Sequence, residues 1–262
     1  MAPIGDLRQA VLLSIDNLGE VADLQREVSP PPEARGDHPS VTVALPALLG
    51  TLQALDLPAT FFVEGLNAEL YPDAIRAIAA AGHEVGLHAW CHEPWGELSP
   101  AREDELLVRG LTAFRGLGLE VEGFRPPGGA LGPRTPAALA AHGLRWCSPL
   151  GTRAGRVDGV ALLPFRWPSV DAYYRLREFA DLRRSLGDAP EPVSARAAAD
   201  ALLAALERPA DGPLVLILHP FLMVADDDRA ESERVLRRLA EKVAAGERWV
   251  ATGRELAALV SD

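Results

Sequence analysis

Apolar runs of strand length recur along the chain, and stretches with helical periodicity separate most of them. The runs are apolar at consecutive positions, which is typical of parallel strands buried on both faces. Seven such runs lie at 10–16, 59–65, 83–90, 121–126, 144–148, 160–167 and 213–220. Strands that alternate with helices predict a parallel sheet, and about seven such units predict an α/β barrel.

Four amphipathic stretches predict helices between these strands, several with a Ser or Pro start and a Gly stop. They lie at 41–55, 72–82, 99–118 and 134–143. Two segments interrupt the alternation: a Pro-rich loop at 27–40 and a helical insertion at 173–206. Because barrels keep their active sites in loops after the strands, we expect both segments near that face of one domain spanning residues 1–262.

Composition excludes several classes of partner. The chain has 26 basic and 37 acidic residues among 262, for a net charge of -11, which argues against nucleic acid or an anionic membrane and favours a small-molecule substrate. Two cysteines cannot build a disulfide framework. We find no signal-peptide pattern and no run of about 18 apolar residues, so we expect a cytoplasmic protein. The sequence does not indicate the oligomeric state.

The stretch GHEVGLHAWCHEPW, residues 82–95, contains three of the six histidines. His88 and His92 stand four apart, so on a continuing strand their imidazoles share a face. Neutral imidazole is a common zinc ligand, and two with one oxygen ligand and water make an open catalytic site. The same spacing also fits loop histidines that hydrogen-bond the backbone, and spacing alone does not separate these readings.

Polar residues at other strand ends favour an active site. Asp16 and Asn17 end the first strand, Arg125 ends the fourth, and His219 ends the last. Each has a structural alternative, as a helix cap, an ion-pair partner or a hydrogen-bonded core histidine. Their recurrence at carboxyl ends of barrel strands points to chemistry instead.

The ordered motifs resemble the polysaccharide deacetylase superfamily, also called the NodB-homology family. They are SIDN, PATFFVEG, GHEVGLHAWCHE, FRPPGG and LILHP, and they span roughly residues 10–220. The resemblance implies a distorted TIM-like (β/α)7 barrel. It also implies metal-assisted hydrolysis of an amide, most often the N-acetyl group of an amino sugar, with a divalent cation such as zinc.

The resemblance also implies a role for each matching residue. It makes Asp16 the base, Arg125 the residue that orients the base, His219 the general acid, and Asn17, His88 and His92 the metal ligands. On the substrate side, we expect a backbone N–H near Pro127 or Gly128 at the oxyanion and Trp90 as an apolar wall.

Two departures from the family pattern affect this assignment. Asn17 stands where the family has an aspartate ligand, which should weaken a divalent site. The cation is then loosely held, bound directly by Asp16 or Glu20, or absent. In addition, RWCSPLG has no acidic residue, whereas Trp167 and Asp171 follow later, as in the branch acting on small amides, ureides, cyclic imides and peptidoglycan sugars. We take both as substrate-binding candidates.

Three functional hypotheses follow. The first is a metal-dependent hydrolase that removes an acyl group, most often acetyl, from a small amino sugar or specialised metabolite. The second is a cyclic imide or ureide amidohydrolase with little or no metal dependence. The third is a non-catalytic barrel that binds a small ligand, although a binding protein needs neither a base nor an acid.

Overall fold

The computed structural model describes residues 6–21, 23, 36–208 and 211–261. Most of the loop predicted at 27–40 therefore lies outside the described residues. The strands are β1 (Ala10–Asp16), β2 (Thr60–Val63), β3 (Glu84–Leu87), β4 (Gly123–Phe124), β5 (Trp146–Cys147), β6 (Gly155–Val157), β7 (Val160–Leu162), β8 (Leu214–Leu218) and β9 (Trp249–Val250).

Helices connect most of the strands. A π-helical turn, Ser40–Ala44, leads directly into the first of them. The α-helices are α1 (Leu45–Ala54), α2 (Gly65–Leu70), α3 (Pro72–Ala80), α4 (Pro100–Gly116), α5 (Thr135–Ala141), α6 (Asp171–Arg175), α7 (Ala180–Ser185), α8 (Ala195–Glu207), α9 (Asp226–Ala244) and α10 (Gly253–Ala257). Among the described residues, no helix has the length and apolar character needed to cross a membrane.

The strands form one curled sheet in the order β6-β7-β5-β4-β3-β2-β1-β8, with β9 beside β1. All pairs are parallel except the β6–β7 hairpin. An isolated parallel bridge between Val170 and Ile217 joins the chain after β7 to the far edge strand, β8. This curled sheet, with helices packed on it, confirms the predicted distorted α/β barrel.

The alternation of side chains along β1 separates two apolar cores. Val11, Leu13 and Ile15 belong to the larger core, which includes residues of the surrounding helices. Ala10 and Leu12 belong to the smaller core inside the barrel. Toward the carboxyl end of the strand, the inner positions become Ser14 and Asp16, both buried. The interior is thus apolar at one end and polar where the strands finish.

Trp146 fills the apolar end of the interior, and glycines make room for it. It is fully buried and meets Phe62 edge to face, with ring centroids 5.4 Å apart. A Cβ on Gly123 would lie 2.3 Å from the Trp146 ring, and one on Gly253 would lie 2.0 Å away. These close contacts hold β4 and the start of α10 against the floor of the barrel.

The predicted insertion at 173–206 is largely helical. It corresponds to α6, α7 and α8, and α6 begins two residues before the predicted start. Arg183 of α7 is buried and donates to the backbone carbonyls of Leu176 and Pro190, which ties the segment together. These contacts give the insertion a defined conformation.

Candidate active site

A buried ion pair joins the ends of β1 and β4. Arg125 Nη1 donates to Asp16 Oδ1 and to Ser14 Oγ, each at 2.7 Å, and Nη2 donates to Ser148 Oγ at 2.8 Å. The guanidinium carbon lies 4.1 Å from the centroid of the Phe62 ring. Burial lowers the pKa of Arg125, whereas the Asp16 carboxylate raises it. The structure thus holds Asp16 at a fixed position inside the barrel.

His88 and His92 lie together beside this pair. Their ring centroids are 5.0 Å apart, with planes at 75°. His88 Nδ1 lies 2.7 Å from the carbonyl oxygen of Arg125, and since a carbonyl only accepts, Nδ1 carries the proton and Nε2 keeps its lone pair. Burial lowers the pKa of His88 to about 3, so the ring is neutral at ordinary pH. A neutral imidazole with an available nitrogen is suited to a metal ion.

Asn17 supplies an unpartnered oxygen next to these rings. Its backbone has a left-handed φ of 59°, a conformation that asparagine tolerates better than most residues. Its side-chain Oδ1 is buried and, among the described residues, has no hydrogen-bond partner. A buried acceptor without a donor requires an explanation, and a bound water or cation is one. The amide oxygen of Asn17 and the imidazoles of His88 and His92 therefore fit a divalent cation.

In the described part of the chain, no three His, Cys, Asp or Glu side chains converge to hold a metal ion. Glu20, considered above as a ligand, is buried where the Tyr71 hydroxyl and the Gly36 N–H donate to its two oxygens. The cavity lining includes Asp16 and Asn17 but not Glu20. The oxygen donors that the end of β1 brings to the cavity are therefore those of Asp16 and Asn17.

His219, at the end of β8, is fixed by Asp171. The His219 backbone N–H donates to Asp171 Oδ2 at 2.8 Å, and the ring Nδ1 is hydrogen-bonded to Oδ1 of the same carboxylate. Both residues are buried. The Val170–Ile217 bridge brings the two residues together, because it places Asp171, which follows Val170, beside the end of β8. Asp171, expected at the substrate, instead lies behind His219 and outside the cavity lining.

These groups line one cavity of about 520 Å³. One wall is polar and carries the strand-end residues Asp16, Asn17, His88, His92, Arg125 and His219. The other wall is largely apolar and comes from the segment that includes the insertion; its members include Phe165, Trp167, Leu176 and Phe179. Pro127, Gly128 and Trp167 of the expected substrate-binding residues do line the cavity.

Trp90 is not part of this cavity, contrary to expectation. It is buried in the larger core, where the Arg109 guanidinium carbon lies 3.7 Å from the centroid of its ring. A Cβ on Gly65 would lie 2.6 Å from it. Strand β3 ends at Leu87 and Ala89 takes a left-handed φ of 61°, so the chain turns before Trp90 and the strand alternation no longer applies. The two histidines meet through this turn, not along one strand.

The turn after Arg125 offers one backbone donor to the cavity. Pro126 and Pro127 have no N–H, and the Gly129 N–H is bonded to the Pro126 carbonyl at 2.9 Å. Gly128, with a left-handed φ of 70°, is therefore the residue of this turn whose N–H remains for an oxyanion.

Sequence reasoning missed Glu64 and the two serines that bind Arg125. Glu64 directly follows β2 and is fully buried. Burial raises its pKa to about 8. The rule that identified Asp16, a charged residue at a strand's carboxyl end, also applies to Glu64. Ser14 could have been found because it stands two residues before Asp16 and shares its face.

The comparison with known proteins agrees with the geometry of the site. Residues 36–147 match the family model described as Polysaccharide deacetylase. Over this stretch, which is less than half of the chain, the sequence is similar to polysaccharide deacetylases. His88, His92 and Arg125 lie within the matched stretch, whereas Asp16 and His219 lie outside it and are brought to the site by the fold.

Two curated relatives are named deacetylases. The peptidoglycan deacetylase of Helicobacter pylori is 30% identical over 105 residues, which cover 40% of this chain and 36% of the relative. Chitin deacetylase 1 of Saccharomyces cerevisiae is 35% identical over 100 residues, covering 38% and 33%. The chain thus spans about a third of the length of these relatives.

A solved structure covers nearly the whole chain. A Mycobacterium smegmatis protein provisionally assigned as a polysaccharide deacetylase matches with a TM-score of 0.80 and 27% identity, covering 99% of this chain and 92% of its own. The likeness therefore extends past the family-matched stretch to both β1 and β8.

Proposed function

We propose that this protein is a metal-dependent hydrolase that removes an N-acyl group, typically N-acetyl, from a small amino sugar or related metabolite. One observation supports it above the others: three polar groups each contribute residues to the lining of the same cavity. They are the Asp16–Arg125 pair, the Asp171–His219 pair and the donor set of Asn17, His88 and His92. A base, an acid and a cation site on one wall are the parts that amide hydrolysis requires.

The residues divide the reaction between them. A divalent cation held by Asn17, His88 and His92 would supply Lewis acidity toward the acyl carbonyl and the attacking water. Asp16 accepts the proton of that water, while Arg125 and its serine contacts keep the carboxylate from rotating away. The Gly128 N–H donates to the carbonyl oxygen as negative charge develops on it.

His219 assists departure of the amine. An amine leaves poorly as an anion, so the leaving nitrogen needs a proton from a nearby acid. His219 donates it, and Asp171 fixes the tautomer and orientation of the ring by accepting from Nδ1. The carboxylate also stabilises the imidazolium before transfer, as an acceptor for a charged donor.

Cavity shape supports a small substrate. A volume of about 520 Å³ falls within the range of small-molecule pockets. Phe165, Trp167 and Phe179 provide aromatic surface opposite the polar wall, suited to an acyl group or a sugar face. The relatives act, by their names, on peptidoglycan and chitin, both built from N-acetylated sugars. N-acetylglucosamine and its short oligomers are therefore the first substrates to try.

The decisive experiment measures acetate release from N-acetylglucosamine and its oligomers by chelator-treated protein, before and after one equivalent of Zn²⁺, Co²⁺ or Mn²⁺. We expect activity only with a cation, and its loss in His219→Ala. His142→Ala is the matched control, since His142 pairs with Asp104 at the surface. Full turnover of a cyclic ureide after chelation would support the metal-free alternative, and ligand binding without turnover would support a binding protein.

A further inference from the structure

The cation site described above lacks negative charge of its own. Asn17 contributes a neutral amide, and histidine ligands bind a cation as neutral imidazoles. Asp16 forms a buried ion pair with Arg125, so the guanidinium balances the charge of this carboxylate. Divalent cations are held in proteins partly by ligand charge, and the described donors leave that requirement unmet. We therefore expect a nearby carboxylate to supply the negative charge.

Glu64 occupies the strand end between the two that carry these donors. In the sheet, β2 lies between β1 and β3. Asp16 pairs with Phe62, and Val63 pairs with Leu87, so the next residues, Glu64 and His88, stand at the same level. Strand alternation also places Glu64 on the face of Phe62, toward the barrel interior. The sequence thus brings a carboxyl group to the layer of the proposed ligands.

The hydrogen bonding of Glu64 is incomplete. Its Oε2 accepts from Asn67 Nδ2 at 2.8 Å, and the same amide nitrogen also donates to the carbonyl of Leu18, next to Asn17. Glu64 Oε1 is buried without a hydrogen-bond partner among the described residues, as is Oδ1 of Asn17. Both are oxygens, which are the atoms that a cation or its bound water would satisfy.

A purely structural role does not explain why the Glu64 carboxyl is buried with one oxygen unpaired among the described residues. It is the N-cap residue of α2, but its side chain makes no capping hydrogen bond. The charged groups that act on it most are Asp16 and Glu93, both acidic. Burying an isolated carboxyl costs free energy, and a cation between the neighbouring strand ends would offset that cost.

We propose that Glu64 is the anionic group of the metal centre and supplies, from behind the ligands, the charge that Asn17 lacks. This inference rests on the cation site of the proposed function. Glu64 acts as a positioning and charge-balancing residue, because in the described part of the chain it does not join His88 and His92 in a three-residue metal cluster. Partners of this kind commonly change metal affinity by about 10–100-fold.

The test is the affinity of chelator-treated protein for Co²⁺, measured by calorimetry together with the visible absorption of the bound ion. We expect Glu64→Gln to bind at least about tenfold more weakly than wild type. Glu64→Asp, which keeps the charge, should retain most of the affinity. Glu69→Gln is the matched control, because it removes an equal charge at an exposed position of α2.

The double variant Asn17→Asp/Glu64→Gln tests whether a carboxylate at position 17 can replace the one at position 64. It carries the same total charge as wild type, so we expect Co²⁺ affinity within a few-fold of wild type. Failure of this rescue, or wild-type affinity in Glu64→Gln, would overturn the role of Glu64 and leave the proposed function standing. If wild type itself binds no Co²⁺, the cation site and this inference both fall.

Discussion

Without its cation, the protein should lose stability as pH rises through neutrality, and Glu64 should be the cause. Burial raises the pKa of Glu64 from 4.5 to about 8. Between these two pH values, the folded protein keeps a proton that the unfolded chain has released. Stability falls with pH wherever the folded state binds more protons, so this contribution is fully present below about pH 4.5 and lost by about pH 8.

The size of the effect follows from the shift. A difference of about 3.5 pKa units corresponds to about 5 kcal/mol at 1.36 kcal/mol per unit, as an upper bound. Typical domains have a free energy of unfolding of about 5–15 kcal/mol, so the loss would be a large fraction of the total. A bound cation should reverse it, because the positive charge stabilises the Glu64 carboxylate and binds only the folded chain.

Urea unfolding of chelator-treated protein at pH 5, 6, 7 and 8, followed by circular dichroism, measures this loss. We expect Glu64→Gln to become steadily more stable than wild type, by the free energy of unfolding, as the pH rises. Comparison with a variant cancels contributions from other buried carboxyls, such as Glu84 and Glu103, whose pKa values are also raised. A difference that stays constant within about 1 kcal/mol from pH 5 to 8 would refute the reasoning.

Two further substitutions test the site and the barrel. Asp171→Asn should lower kcat/KM by about 10–100-fold and alter its pH profile, because a charge-assisted bond worth about 1.5–3 kcal/mol no longer fixes His219; an unchanged profile at intact circular dichroism would contradict that role. Gly253→Ala should cost about 1–3 kcal/mol in urea unfolding, since its Cβ would lie 2.0 Å from Trp146. Gly50→Ala, which meets nothing within 4 Å on α1, should instead stabilise by about 0.5–1 kcal/mol.

The barrel could be predicted because its longer strands are apolar over consecutive residues. All seven predicted runs contain an observed strand, although several are shorter than predicted because the chain leaves the sheet early. Strands β6 and β9 were missed since they have three and two residues and are partly exposed. Such short strands form because a neighbouring strand is available for pairing, and the local sequence pattern does not contain that information.

The site was predictable where it followed a strand end and unpredictable where it depended on a turn or a distant contact. That Asp16, Arg125 and His219 would lie together could be predicted from their positions at strand ends, and all three line the cavity. Trp90 was misplaced because the left-handed turn at Ala89 has no sequence signal, alanine being an unusual residue there. Asp171 was found, but its partner was not, since that contact requires the bridge between Val170 and Ile217.

The neutral residue at position 17 changes how the other strand ends should be interpreted. If a cation binds at this site, the charge that it needs must come from somewhere within the low-dielectric interior, because exposed carboxylates are screened by water. Asp16, at the end of β1, is balanced by Arg125, whereas Glu64, directly after β2, is buried without a cationic partner in the described part of the chain. Charge balance thus identifies Glu64 where motif matching does not. A neutral residue at a ligand position is therefore a reason to examine the neighbouring strand end before the site is judged inactive.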